Sequence, residues 1–125
     1  MNIGIKGEAK ETVNENNTAL KMKSGSLMVY ATPAMIALAE QAAYKSVEDY
    51  IEDGQGTVGT YMDIKHIAAT PVGMEVTAKS ELISAEGRKL TFKIEVFDER
   101  EKIGEGVHER FIVNNEKFQN KADSK

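Results

Sequence analysis

YATPAMIALAEQAAYKSVEDYIEDG, residues 30–54, decides the fold, because nothing else in the chain reads as a long helix. Thr32 stands where an N-cap belongs, since its hydroxyl can accept a bond from an orphan N–H of the first turn. Pro33 follows at the first helical position, where its missing N–H costs nothing. A run of good helix formers comes next, and Gly54 is placed to end the helix. At the 3.6-residue period Ile36, Ala43, Val47 and Tyr50 share one stripe, and Glu40 falls on it too. A carboxylate in a line of core residues needs a partner or a purpose, because burying a lone charge costs several kcal/mol or shifts its pKa.

Outward from the helix, DGQG at 53–56 is a turn, and four strands are expected after it. The first, 57–70, carries Met62, Ile64, His66 and Ala68 on one face and is broken by Pro71 and Gly73. The second, 74–84, alternates Met74, Val76, Ala78 and Leu82 with charged and polar residues. Beyond a hairpin turn at Glu86 and Gly87, Leu90, Phe92, Ile94 and Val96 alternate most cleanly of all. The last strand spans 102–114. Before the helix, residues 1–13 read as a short strand, NENNT at 14–18 as a turn, and 21–30 as a connection. The polar ending NEKFQNKADSK is expected to fray. The expectation is one α+β domain over 1–118, with 119–125 as a polar tail. In it a four-strand meander and one further strand wrap a central helix, each burying the other's apolar face. Exposed edges of so short a sheet often resolve by pairing with a second copy.

Composition narrows the function. The 125 residues suffice for a core without staples, and 41% hydrophobic with 29% charged residues is ordinary for a soluble domain. A net charge of −4 offers no footprint for nucleic acid. With no cysteine there is no disulfide, thiolate site or Cys nucleophile. No run approaches the length of a membrane span and the N-terminus lacks a signal-peptide core, so a cytoplasmic location is expected.

Few residues can carry chemistry. Glu40 reads as a general base or nucleophile, or else as a residue of an exposed face. His66 sits between Ile64 and Ala68 on an apolar strand face, where a lone histidine is commonly a core residue. A helix packed on that strand can bring Glu40 and His66 into one pocket. Thr32, eight residues before Glu40, lies about 12 Å away along a continuous helix, so the two cannot bond within one helix. Any joint action needs a large site or two subunits. Gly59 offers a backbone N–H with no side chain in the way. Gly104, Gly106, His108 and Arg110 share a strand face that leaves room for a ligand or a neighbouring backbone. The competing reading there is an exposed edge with a salt bridge among Glu105, Glu109 and Arg110. Two histidines without a carboxylate cluster argue against a metal site, and no phosphate loop or nucleophile elbow is present.

In order, VYATPAMIALAEQAA, GTVGTYMDIKHIAATPVGMEVTAKSEL, EGRKLTFKIEVFDE and IGEGVHERFIV resemble the fluoroacetyl-CoA thioesterase-like branch of the hotdog-fold thioesterases. The resemblance covers residues 5–118. It implies a hotdog fold, a homodimer joined edge to edge with sites at the interface, and hydrolysis of an acyl-CoA thioester without a cofactor. Whether dimers pair further stays open. It implies a catalytic set of Thr32, Glu40 and His66, with the Gly59 N–H on the thioester carbonyl and Arg110 as a site or ligand-orienting residue. Glu40 would act on water or attack directly, and Thr32 would hold the nucleophile or be one. The fluoroacetyl-specific member has aromatic residues before this threonine. Here Ser24, Gly25, Ser26, Leu27 and Met28 occupy that region, which points to a general short-chain acyl group. A hotdog hydratase would place an Asp five residues before its His, whereas Asp63 and His66 are three apart. A non-catalytic acyl-CoA or small-ligand binder is the alternative.

Overall fold

In the computed structural model, which describes residues 1–125, five strands form one antiparallel sheet around a helix. The strands are β1 (Lys6–Thr12), β2 (Gln55–His66), β3 (Glu75–Glu86), β4 (Lys89–Phe97) and β5 (Lys102–Asn114). Helix α1 (Thr32–Ser46) packs on the sheet, and helix α2 (Asn115–Asp123) closes the chain. No helix is long and apolar enough to cross a membrane.

The sheet order is β1-β3-β4-β5-β2, which corrects the expected four-strand meander. Only β3, β4 and β5 meander. Strand β2 lies on the far edge, paired with β5 from Gln55↔Asn114 to His66↔Gly104. The reason is length. The link from β2 to β3 is too long for a tight hairpin, while β5 offers β2 a partner along its whole run. The link is tied down where it passes the start of α1, since Tyr30 N–H donates to the Thr70 carbonyl at 2.9 Å. The Thr70 hydroxyl in turn donates to the Asp98 carboxylate at 2.9 Å.

Strand β4 behaves as its alternation requires, with Leu90, Phe92, Ile94 and Val96 buried against the helix. Of the expected stripe only Ala43 and Val47 are buried, and the buried face of α1 is rotated away from Ile36 and Glu40. Ala34, Met35, Leu38, Ala39, Ala42 and Ala43 are buried, while Ile36 and Glu40 are half-buried and Tyr50 is exposed. Alanine decides this: four of those six buried residues carry only a methyl group, so the backbone of α1 settles close to the sheet. Gly7 on β1 marks the closest approach, because a Cβ there would collide with the Ala42 carbonyl oxygen.

Both helix ends differ from the expectation. Ala31, not Thr32, is the N-cap, and no side chain caps the first turn. The helix stops at Ser46, whose hydroxyl folds back onto the Ala43 carbonyl at 2.6 Å, and a 3-10 turn at Glu48–Tyr50 follows. Gly54, with φ +82°, instead turns the chain into β2. The ending does not fray in this structure. Asn114 accepts a bond from Lys117 N–H at 3.0 Å and starts α2.

Gly7→Ala is expected to destabilise the protein by about 1–3 kcal/mol, since a rigid helix carbonyl cannot give way. Lys10→Ala, on the exposed face of the same strand, should stay within about 0.5 kcal/mol. Urea denaturation of the two variants checks the difference.

Candidate active site

Two clusters of polar side chains sit along α1. At its start the Thr32 hydroxyl and His66 Nδ1 are 2.8 Å apart. Thr32 is free for this because it does not cap the helix, and His66 reaches it because β2 ends beside the first turn. One proton lies between the two atoms: either the hydroxyl donates to a bare Nδ1, or Nδ1–H donates to the hydroxyl. The first form is the one that activates the oxygen. His66 Nε2 is buried and has no partner. Burial pushes the His66 pKa below its ordinary value of 6.5, against a backbone contact at Ala68 that raises it. The ring is therefore neutral at neutral pH and able to accept a proton. An open cavity of about 350 Å³ lies in front of the pair, lined by Ala19, Ser24, Val29, Tyr30 and Ala68 among others.

Two turns further along α1, Glu40 Oε2 accepts a bond from Arg110 Nη1 at 3.0 Å. Arg110 is buried, and the rest of its fork is spent on protein. Nε donates to Thr57 Oγ1 at 2.8 Å, Nη2 to the Thr57 carbonyl at 2.9 Å, and Nη1 also reaches His108 Nε2 at 3.1 Å. The Tyr44 ring lies 5.7 Å from the guanidinium, one helical turn beyond Glu40. Burial lowers the Arg110 pKa and Glu40 opposes it, but the group stays cationic. Gly59 stands against this cluster, and a Cβ there would lie 2.5 Å from Glu40 Oε2. Its missing side chain makes room for the carboxylate.

His66 and Glu40 thus do not meet within one chain, contrary to the shared pocket read from the strand pattern. The structure brings Thr32 to His66, and Glu40 to Arg110 and Gly59. The edge salt bridge among Glu105, Glu109 and Arg110 does not form either. Glu105 pairs with Lys102 and Glu109 with Lys89, because Arg110 points to the opposite, inner face. The glycines of β5 leave room for protein rather than ligand: Gly104 for the Met35 side chain, Gly106 for the β2 backbone at Asp63. Thr57 was missed by sequence reasoning. Its signal is the Gly59↔Arg110 register, which puts Thr57 on the same face as Gly59, and that register needs the sheet order.

The family model described as fluoroacetyl-CoA-specific thioesterase matches residues 13–116. The fluoroacetyl-CoA thioesterase of Streptantibioticus cattleyicolor is 41% identical over 97 residues, covering 78% of this chain and 70% of that protein. Among solved structures, the fluoroacetyl-CoA thioesterase FlK superposes with a TM-score of 0.94 at 34% identity, covering 100% of this chain and 97% of that one. A mutant of FlK in complex with acetyl-CoA gives a TM-score of 0.93 at 33% identity, covering 99% and 98%. A thioesterase superfamily member from Thermus thermophilus gives 0.90 at 25% identity, covering 98% and 91%.

Thr57→Val leaves the Arg110 Nε–H without an acceptor in a buried place and should cost about 1–3 kcal/mol in denaturant unfolding. Burial also lowers the pKa of His108, as it does that of His66, so below pH 6.5 the unfolded chain takes up protons that the folded chain refuses. Unfolding free energy should therefore fall as pH drops below about 6.5, with a smaller slope in His66→Gln, as a denaturation series between pH 7.5 and 5 would record.

Proposed function

The chain belongs to the fluoroacetyl-CoA-specific thioesterase family, and on that footing we propose that Glu40, Thr32 and His66 carry out its hydrolysis of an acyl-CoA thioester. It is a thioester hydrolase of hotdog fold. The observation that carries the residue assignment is a pair of preorganised groups on one helix: a hydroxyl bonded to an imidazole, and a carboxylate bonded to a buried arginine.

Arg110 engages only Oε2 of Glu40, which leaves Oε1 to orient a water or to attack the thioester carbon. Gly59, beside that carboxylate, supplies its N–H to the thioester oxygen and stabilises the charge that develops there. Thr32 and His66 complete the site as a hydroxyl that holds the reacting group and a base that exchanges its proton. Departure of CoA thiolate then leaves the free acid. A non-catalytic binder would have no use for a neutral histidine bonded to a hydroxyl.

The two clusters are two helical turns apart in one chain, so the reading requires a homodimer. Strand β2 favours one. It is a twelve-residue edge strand with no buried residue, and its outer side has no partner. Antiparallel pairing of β2 with its copy, centred between Met62 and Asp63, sets Gly59 of one chain opposite His66 of the other. Each of two sites then takes Glu40 and Gly59 from one subunit and Thr32 and His66 from its partner. The acyl group is short. The segment before Thr32 carries no aromatic lid, and Tyr30 donates its buried phenol to Glu11 rather than covering the cavity. We assign the protein to the cytoplasm, where acyl-CoA is made and spent.

Thiol release from a panel of acyl-CoAs tests the proposal. Wild type is expected to turn over short-chain substrates, while Glu40→Gln and His66→Ala each lose at least about 100-fold in kcat. A mixture of the two inactive variants, unfolded and refolded together, should recover about a quarter of wild-type activity. Half the dimers would be mixed, and each would hold one intact site. No recovery would place the site within one chain, and equal turnover in all proteins would refute the catalytic assignment.

A further inference from the structure

His108 is a buried residue that the mechanism above does not use. It lies at 1% exposure on β5, between the Tyr61 carbonyl of β2 and the Arg110 guanidinium. These neighbours fix its protons. A carbonyl only accepts, so Nδ1, 2.9 Å from Tyr61 O, carries the hydrogen. A guanidinium only donates, so Nε2, 3.1 Å from Nη1, holds a lone pair. The ring is one defined neutral tautomer. Glu40 Oε2 lies 3.9 Å from Nε2, too far for a bond, and Nε2 has no proton to offer it. The only other charged group facing the ring is Arg110 itself.

We propose that His108 is a positioning residue for the carboxylate: its Nε2 lone pair holds Nη1 of Arg110 in the orientation from which that nitrogen grips Glu40. Arg110 Nη1 has two hydrogens, one for His108 and one for Glu40. With both used, the guanidinium cannot rotate, and Thr57 fixes its other side through Nε and Nη2. The Tyr61 carbonyl holding His108 comes just after the irregularity between Gly59 and Tyr61 in the β2–β5 register. The same irregularity therefore presents Gly59 to the reacting carbonyl and Tyr61 to His108. Arg110 is thus a positioning residue as well, with four of its five N–H donors engaged by protein.

This inference rests on the reading of Glu40 as the catalytic carboxylate, and the test separates the two. His108→Gln keeps an acceptor at the Nε2 position, whereas His108→Asn keeps only a group at the Nδ1 position. Expected are a kcat loss of about tenfold or more in His108→Asn with KM within about twofold, and a loss under about threefold in His108→Gln. In an Arg110→Lys background, which lacks the fork, His108→Asn should add little further loss, because both act on one contact. A purely structural residue would not give rescue by Gln together with this non-additivity. Melting temperature and gel filtration confirm that the compared variants are folded. The proposal is overturned if Asn and Gln variants are equally impaired, if the Arg110→Lys losses multiply, or if His108→Asn is fully active while Glu40→Gln is dead. Full activity of Glu40→Gln would overturn the underlying assignment, and this one with it.

Discussion

Close contact between the alanine face of α1 and the sheet is the constraint on which the rest of the molecule depends. Ala34, Ala39, Ala42 and Ala43 keep the helix backbone low, and Gly7 and Gly104 remove side chains from the strands where it comes nearest. At that depth Ile36 and Glu40, beside the buried face, lie half-buried at the rim of the sheet. The carboxylate can then reach β5, and the hydroxyl at the start of the helix can reach the end of β2. A helix faced with leucines would sit farther out and present both groups to solvent.

A buried guanidinium is costly, and this one is tolerated because its donors find acceptors in good geometry. Losing water around such an ion costs several kcal/mol, which charge-assisted bonds offset only when they are nearly complete. Thr57 contributes two of these bonds, His108 one and Glu40 one. Three of the four come from the sheet and do not depend on the carboxylate. Arg110 is therefore held mainly by the sheet, while Glu40 keeps about 40% of its side chain exposed.

Much of this was legible in the sequence. The alternation of Leu90, Phe92, Ile94 and Val96 located β4 and its inner face, the span 102–114 located β5, and Thr32, Glu40, Gly59, His66 and Arg110 all stood out. The helix face was not legible. In an alanine-rich segment one stripe differs little from the next in hydrophobicity, so the period gives the helix but not its rotation. The sheet order was hidden because local turns say nothing about which edge a strand will join. With it went the β2–β5 register, and hence the partner of every polar residue on those strands. Thr57 looked like any strand threonine, and His108 stood only as one of four residues sharing a strand face. The final helix was masked by a polar composition that a single asparagine cap organises.

Moving β2 to the far side of the sheet leaves the molecule with two unlike borders. Strand β1 is short, with Lys6, Glu8 and Lys10 exposed and Lys10 lying 3.6 Å from Glu8. Another backbone approaching there must first strip water from charges. Strand β2 is nearly twice as long and carries Tyr61 half exposed in its middle. An open sheet with two receptive borders can add copies without limit and grow into a filament. With one receptive border, two copies can meet there once, like edge to like edge, after which only the charged borders are left. In the proposed dimer the crossover that carries the chain from β2 to β3 would thus guard against polymerisation, through the order of the strands rather than through any one side chain.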